Sequence, residues 1–460
     1  MVKIGFLPLY IKLYDDIEKE PSKSRARMEK FYDTCARKLT DLGATVVTTP
    51  FCRIAKEFED AMQLFLNEKV DAIVTLHLAY SPSLESIDAI EKSGLPLIVL
   101  DTTEAFDFGT DANFDDIMMN HGIHGVMDMC NLLLRRGVSY AIAAGHYEEP
   151  GLFEKVIEYA KAVVAANAFK GTRVGRIGES FKGMGDFKVE DSVLKKDFGI
   201  EVVQFDSDAD GSFFDVSDED IESEIEADRK KYDVDNVMPD IYRDSVITGL
   251  GFRRWIEANR LDAFTFNFLS FTEDSVPNIV PFMEASKALA RGLGYAGEGD
   301  TLTASLVGAM QKGFSNSSFV EIFCPDWKGG RLFLSHMGEM NIALAEPDSV
   351  GCAEREYIFS SAQNPVVLSG RYKAGRAVYL NIMPLDEGYG LVLANVTMES
   401  VDDSLFGTVR GWMKPDMPVA EFLKAHSIAG ATHHSALTYD VDIEALAFFG
   451  KLLGLKVTVL

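Results

Sequence analysis

"DAIVTLHLAYSPSLESIDAIEKSGLPLIVLD", residues 71–101, begins and ends on short apolar, β-branched runs and carries a helical period between them. Strand, helix and strand in about thirty residues make a βαβ crossover, and a crossover joins parallel strands. The alternation continues in both directions. "VKIGFLPL" and "ATVVTTP" precede it with the helical "ARMEKFYDTCARKLTDLG" between them, and "SYAIAAGH" follows. The helical stretch "PGLFEKVIEYAKAVVAANAFKG" closes this unit near residue 171. "RVGRIGE" restarts the pattern, which runs through "IEVVQF", an acidic stretch, the helix "SVITGLGFRRWIEANR" and the strand "DAFTFNFL". After the helix "DTLTASLVGAMQKGF", for which Asp300 is a good N-cap, the texture changes to strands separated by turn residues, from "SFVEIF" to "GLVLANVTM". The expected fold is α/β plus β. Two flavodoxin-like or Rossmann-like α/β domains with parallel sheets occupy 1–170 and 171–316, and a mainly β, barrel-like domain occupies 317–460 with helices near 418–426 and 442–454.

Composition narrows the function. The 460 residues carry 71 acidic against 45 basic side chains, a formal charge of −26, which disfavours a nucleic-acid groove or an anionic membrane as partner. A hydrophobic content of 47% is ample for several cores. The start lacks the basic leader and cleavage site of a signal peptide, and no segment reaches the ~18 apolar residues of a membrane helix, so a cytoplasmic protein is expected. Five scattered cysteines (Cys35, Cys52, Cys130, Cys324, Cys352) form no C-x-x-C pair and read as reduced thiols.

Some motifs fall away on inspection. "DSDADG" from Asp206 copies the opening of a calcium loop, but its twelfth position is Ser217 where a bidentate Glu is required. The acidic run "SDEDIESEIEADRKK" reads as a solvated helix face. "GRIGESFKGMG" does not match G-x-G-x-x-G, and neither a P-loop nor a G-x-S-x-G elbow occurs.

The informative stretch is "SFVEIFCPDWKGGRLFLSHMGEMN", residues 318–341. Two strand-like runs flank a "KGG" turn. A hairpin centred near Gly329 places Glu321 opposite Met337 and diagonal to Glu339, about 7–8 Å apart and on one face, where two carboxylates could converge on one ion. As surface residues they would be unremarkable. Among Phe, Val, Ile, Leu and Met, however, an unpaired carboxylate is costly to bury, and a cation removes that cost. Near the C-terminus, "AGATHHSALTYD" (429–440) sets His433 beside His434 at the start of a strand-like run. Neighbouring side chains of an extended chain point to opposite faces, so only one imidazole enters a given cavity unless the chain kinks.

Taken in order, "GYAGEGDTLTASL", "SFVE", "SHMGE" and "GATHHSAL" resemble the L-arabinose isomerase family, within the group that includes L-fucose isomerases. Weaker echoes reach back to "GRIGESF" and to "NHGIHGV" (120–126). The resemblance implies an aldose–ketose isomerase with one divalent cation, usually Mn²⁺, between the second and third domains. Carried over by motif, Glu321 and Glu339 are metal ligands and the catalytic acid/base pair, and His434 is a further metal ligand. It also implies that His124 contacts substrate in a neighbouring subunit of a homo-trimer or homo-hexamer. His121, three residues away on the same helix face, and His433 at the rim are candidate substrate contacts beside it. The arabinose isomerases carry an additional histidine beyond the second glutamate. This chain has no His between His336 and His426, which leaves a Glu–Glu–His set similar to that of fucose isomerases. His336, of opposite strand parity to Glu339, reads as structural or as a support behind the ligands.

These residue types suit the implied chemistry. Moving a proton between C1 and C2 through an enediol needs a base at carbon, an acid or shuttle at oxygen, and positive charge where the enediolate forms. Either glutamate could be the base. A sugar-binding relative without activity, and a metal-dependent epimerase or isomerase of a modified sugar, are the alternatives. The paired acids favour an enzyme, because a binder has no need of them.

Overall fold

The computed structural model describes residues 1–17 and 23–460. Five strands come first: β1 (Lys3–Leu9), β2 (Thr45–Thr48), β3 (Ala72–His77), β4 (Leu97–Asp101) and β5 (Tyr140–Ala144). All pair parallel, in the order β2-β1-β3-β4-β5. That is the flavodoxin-like order. Helices cover both faces, which is why β3 and β4 read as unbroken apolar runs rather than alternating ones. A second parallel sheet contains β6 (Arg173–Ile177), β7 (Glu201–Gln204), β8 (Ala263–Phe266) and β9 (Gly294–Gly297) in the order β7-β6-β8-β9.

The remaining strands are β10 (Ser317–Asp326), β11 (Arg331–Ser335), β12 (Gly351–Glu354), β13 (Val366–Ser369), β14 (Gly375–Pro384), β15 (Tyr389–Glu399), β16 (Gly411–Pro415), β17 (His434–Tyr439) and β18 (Lys456–Val459). Six of them, in the order β14-β17-β10-β11-β16-β15, pair antiparallel, and a β14–β15 pairing closes the circuit into a barrel. Closure leaves no free edge within that circuit. β18 adds parallel to β15, and β12 with β13 forms a separate ribbon. The expected α/β plus β architecture, with two parallel sheets and a barrel, is thus what the chain adopts.

Two compact units result: Met1–Val164 with Glu444–Leu453, and Ala165–Ile443 with Gly454–Leu460. The second holds both the β6–β9 sheet and the barrel. The helix Ile443–Leu452 belongs with the first, where Tyr159 donates to Glu444 Oε2 at 3.0 Å.

Two acidic segments form ordinary helical structure, and most acids of the longer run face solvent as the sequence reading has it. The acidic run forms the helix Asp218–Arg229, but Ile221, Ile225 and Asp228 are buried. On that side Lys287 Nζ lies 2.9 Å from Glu224 Oε1 and 2.5 Å from Asp228 Oδ2, and Arg253 bridges Glu224 and Glu284. "DSDADG" forms no loop around an ion: Asp206 caps the four-residue helix Ser207–Asp210 by accepting from the Asp208 N–H. Among the described residues no helix is long and apolar enough to cross a membrane.

Candidate active site

Strand alternation decides which residues of the barrel meet. Val320, Leu437 and Tyr439 belong to the barrel core, so Phe319 and Glu321 on β10, and His434 and Ala436 on β17, occupy the outer face. β10 and β17 pair antiparallel with Glu321 opposite His434. Glu321 Oε1 lies 3.2 Å from His434 Nε2.

The hairpin that was expected to join Glu321 to Glu339 has another register. Asp326 faces Arg331, but pairing shifts between Ile322 and Cys324, and Glu321 then faces Ser335 rather than Met337. A bulge inserts one extra residue, here Phe323, whose ring is 50% exposed. β11 ends at Ser335, and His336 turns onto the outer face with Nε2 at 3.0 Å from Glu321 Oε1. A side chain at Gly297 would crowd that ring, since a Cβ there would sit 3.0 Å from His336 Cε1. Glu339 stands behind His336. Its Oε2 lies 2.7 Å from His336 Nδ1 and accepts from the Gly338 N–H at 2.8 Å, while Oε1 accepts from the Tyr295 hydroxyl at 2.6 Å.

The C-terminal end of β9 supplies a further carboxylate. Glu298 follows Gly297 at φ 62, a left-handed backbone that costs a residue with a side chain of order 1–3 kcal/mol. The strain aims its Oε2 to 2.9 Å from His434 Nε2 and 3.5 Å from His433 Nε2. Two residues on, Asp300 caps the helix Thr301–Phe314 by accepting from the Thr303 N–H at Oδ1, and its Oδ2 lies 2.9 Å from His434 Nδ1. Both nitrogens of His434, a fully buried ring, therefore face carboxylates.

The adjacent histidines reach the same acid. β17 begins at His434, and His433 lies in the bend before it, so parity does not separate the two rings. Their centroids are 4.1 Å apart. His433 is half-exposed and is turned by Asp186, whose Oδ2 lies 2.7 Å from Nδ1 and accepts from the His433 N–H. Phe187, next to Asp186, packs 4.7 Å from the His434 ring.

Electrostatics bind this group together. Burial would raise the pKa of Glu298, but hydrogen bonds from His433 and His434 and the charge of His434 hold it down at about 2. Glu321 is likewise driven well below the usual carboxylate range, since the charges of His336 and His434 outweigh its burial. Burial opposes charge on His434 and His336, yet their carboxylate partners raise both well above the ordinary imidazole value. The carboxylates draw positive charge into the site, which a bound cation can supply instead of ring protons. Glu321 Oε1 is buried and, despite its nearness to two imidazole nitrogens, has hydrogen-bond geometry with neither. Glu298, Glu321, His433 and His434 offer ligand atoms within 4.8 Å of one another, a span that one ion with bonds of about 2.0–2.6 Å can bridge. The donor set fits a divalent cation that takes oxygen and imidazole ligands.

Of the residues singled out in the sequence, Glu321, His433 and His434 come together, and Glu339 touches the group through His336. His121 and His124 lie in the first unit, where the Tyr14 hydroxyl is 2.8 Å from His121 Nε2 and His124 is exposed. Glu298 has no role among the sequence expectations, and His336, expected as structural or as a support behind the ligands, instead faces Glu321 directly. Their signal was present, since each sits inside a motif already quoted, "GEGDT" and "SHMGE".

A parallel sheet presents an acid from its C-terminal edge to carboxylate and imidazole groups on a barrel face, an arrangement that can exchange protons with a small molecule. Residues 176–315 match the model of the L-arabinose isomerase central domain, and residues 316–456 match that of the L-arabinose isomerase C-terminal domain. L-arabinose isomerase of Anoxybacillus flavithermus is 23% identical over 90% of this chain and 84% of its own. That of Vibrio parahaemolyticus is 24% identical over 89% and 83%, and that of Shouchella clausii 23% over 99% and 93%. The chain belongs to the L-arabinose isomerase family as a divergent member, and is thereby an enzyme of the aldose–ketose isomerase class.

Proposed function

We propose that the chain is a cation-dependent sugar isomerase whose ion is held by Glu298, Glu321 and His434, with His336 and His433 at its border. The observation that carries this is the convergence of two buried carboxylates, Glu321 and Glu298, both held ionised against burial, on His434 Nε2 within a cluster of ligand atoms that lie within 4.8 Å of one another. When bound, Mn²⁺ or another divalent cation supplies the Lewis-acid charge that an enediolate needs. The protein's own residues do the rest. One of the two carboxylates takes the proton from the sugar carbon and returns it to the neighbouring carbon, while the other serves the hydroxyl proton. Glu298 thus takes the part that motif resemblance gave to Glu339. His433, oriented by Asp186 at the rim, is placed to meet a sugar hydroxyl. The L-arabinose isomerase relatives support a pentose as substrate, and the exposed His124 supports a substrate contact delivered to a neighbouring subunit of a homo-oligomer.

The test is a screen of pentoses, hexoses and deoxysugars, as aldoses and as ketoses, with Mn²⁺ and with a chelator. Interconversion that needs the metal and disappears in Glu321→Gln is expected. Absence of metal-dependent turnover on every sugar overturns the proposal.

A further inference from the structure

Behind the imidazole of His336 runs a chain of buried polar contacts that the isomerisation itself does not use. Tyr295, on β9, is fully buried among Phe264, Phe266 and Phe319, yet its hydroxyl donates to Glu339 Oε1 at 2.6 Å. Glu339, 1% exposed, lies 2.7 Å from His336 Nδ1 through its other oxygen. The opposite ring nitrogen, Nε2, is 3.0 Å from Glu321 Oε1. Each link engages one specific atom of the next. The Gly338 N–H also donates to Glu339 Oε2, at 2.8 Å.

We infer that Tyr295 and Glu339 are positioning residues: together they hold the His336 ring with Nε2 facing Glu321, and so set how tightly the site binds its cation. The carboxylate on Nδ1 fixes the orientation of the ring, so that Nε2 is held against Glu321 at the edge of the cation site, as carboxylates behind imidazoles do at metal centres in general. The Tyr295 hydroxyl satisfies the oxygen of Glu339 that His336 does not reach, and without it a buried carboxylate oxygen stands unpaired. The link also crosses between layers, since Tyr295 belongs to the parallel sheet and His336 to the barrel. The inference rests on the proposed cation site and adds two residues that never touch the ion.

The experiment is calorimetric titration of the full chain with MnCl₂ alone, alongside the thermal melt of each metal-free protein. Tyr295→Phe should weaken Mn²⁺ binding about tenfold or more, and Glu339→Gln, which changes the group on Nδ1 directly, at least as much. The electron paramagnetic resonance spectrum of bound Mn²⁺ should change in both. A merely structural role would lower the melting temperature and leave the Mn²⁺ affinity and spectrum of the folded protein alone. Unaltered affinity in Glu339→Gln overturns the inference while the cation site stands. Failure of the unmodified protein to bind Mn²⁺ overturns both.

Discussion

Glu321 and His434 are direct cross-strand partners on the outer face of the barrel, with Oε1 and Nε2 3.2 Å apart. Directly opposed antiparallel residues hold their Cβ atoms about 4.5–5.5 Å apart, so this pairing fixes the carboxylate against the imidazole without help from a loop. Glu298, by contrast, arrives from the end of another sheet on a strained residue. The two acids therefore approach His434 Nε2 from different layers.

If these acids carry the proton transfer, replacing either one removes acid/base catalysis while leaving the side-chain shape. Glu321→Gln and Glu298→Gln should each lower kcat by about 10²–10⁴-fold. Circular dichroism should be unaltered. Steady-state kinetics on the best sugar from the screen is the check, and near-normal turnover in Glu298→Gln would return the second role to Glu339.

A cation that binds only the folded chain stabilises it by mass action. At a hundredfold excess of Mn²⁺ over its Kd the gain is about 2.7 kcal/mol. The urea unfolding midpoint should rise with Mn²⁺ and fall back with chelator. In His434→Ala the rise should vanish, because the ring that both carboxylates face is gone.

Acid sensitivity is expected from His426, whose burial lowers its pKa from 6.5 to about 4. Its Nε2 sits 3.0 Å from the Tyr379 hydroxyl, and its ring stacks on Phe422. The unfolded chain takes up a proton at this residue near pH 6.5 and the folded chain only near 4. Its contribution to stability is therefore present above pH 6.5 and is lost as pH falls through this window, by at most about 1.4 kcal/mol per pH unit. Urea midpoints measured between pH 4.5 and 7 should show a shallower slope for His426→Gln than for the unmodified chain. Equal slopes would mean that His426 titrates normally in the fold.

Lys287 is 8% exposed and stands between Glu224 and Asp228, with Glu224 held at a pKa of about 2 by Arg253 and Lys287 against its burial. Lys287→Met leaves those carboxylates short of a partner. A loss of roughly 3–5 kcal/mol in urea unfolding is expected. Adding Asp228→Leu should recover part of it, since the uncompensated charge rather than the missing bond is the larger cost.

The sequence alone determined the layer order and the strand types, because the period of the apolar residues differs between βαβ units and a β barrel. It also supplied Glu321 and the two histidines, through the short motifs that carry the family resemblance. The site's final membership was a tertiary matter. One bulged residue, Phe323, shifted the hairpin so that His336 rather than Glu339 faces Glu321. A bend at His433 let both imidazoles approach one carboxylate where strand parity had allowed one. Glu298 became part of the site only because β9 ends opposite the barrel face, which no local period encodes. On the inner side of the helix Asp218–Arg229, Glu224 pairs with Lys287 and Arg253, both more than twenty residues away in sequence. Periodicity specifies which face a residue takes within its own element. What that face meets depends on register and on strand ends, and there a single residue changes the answer.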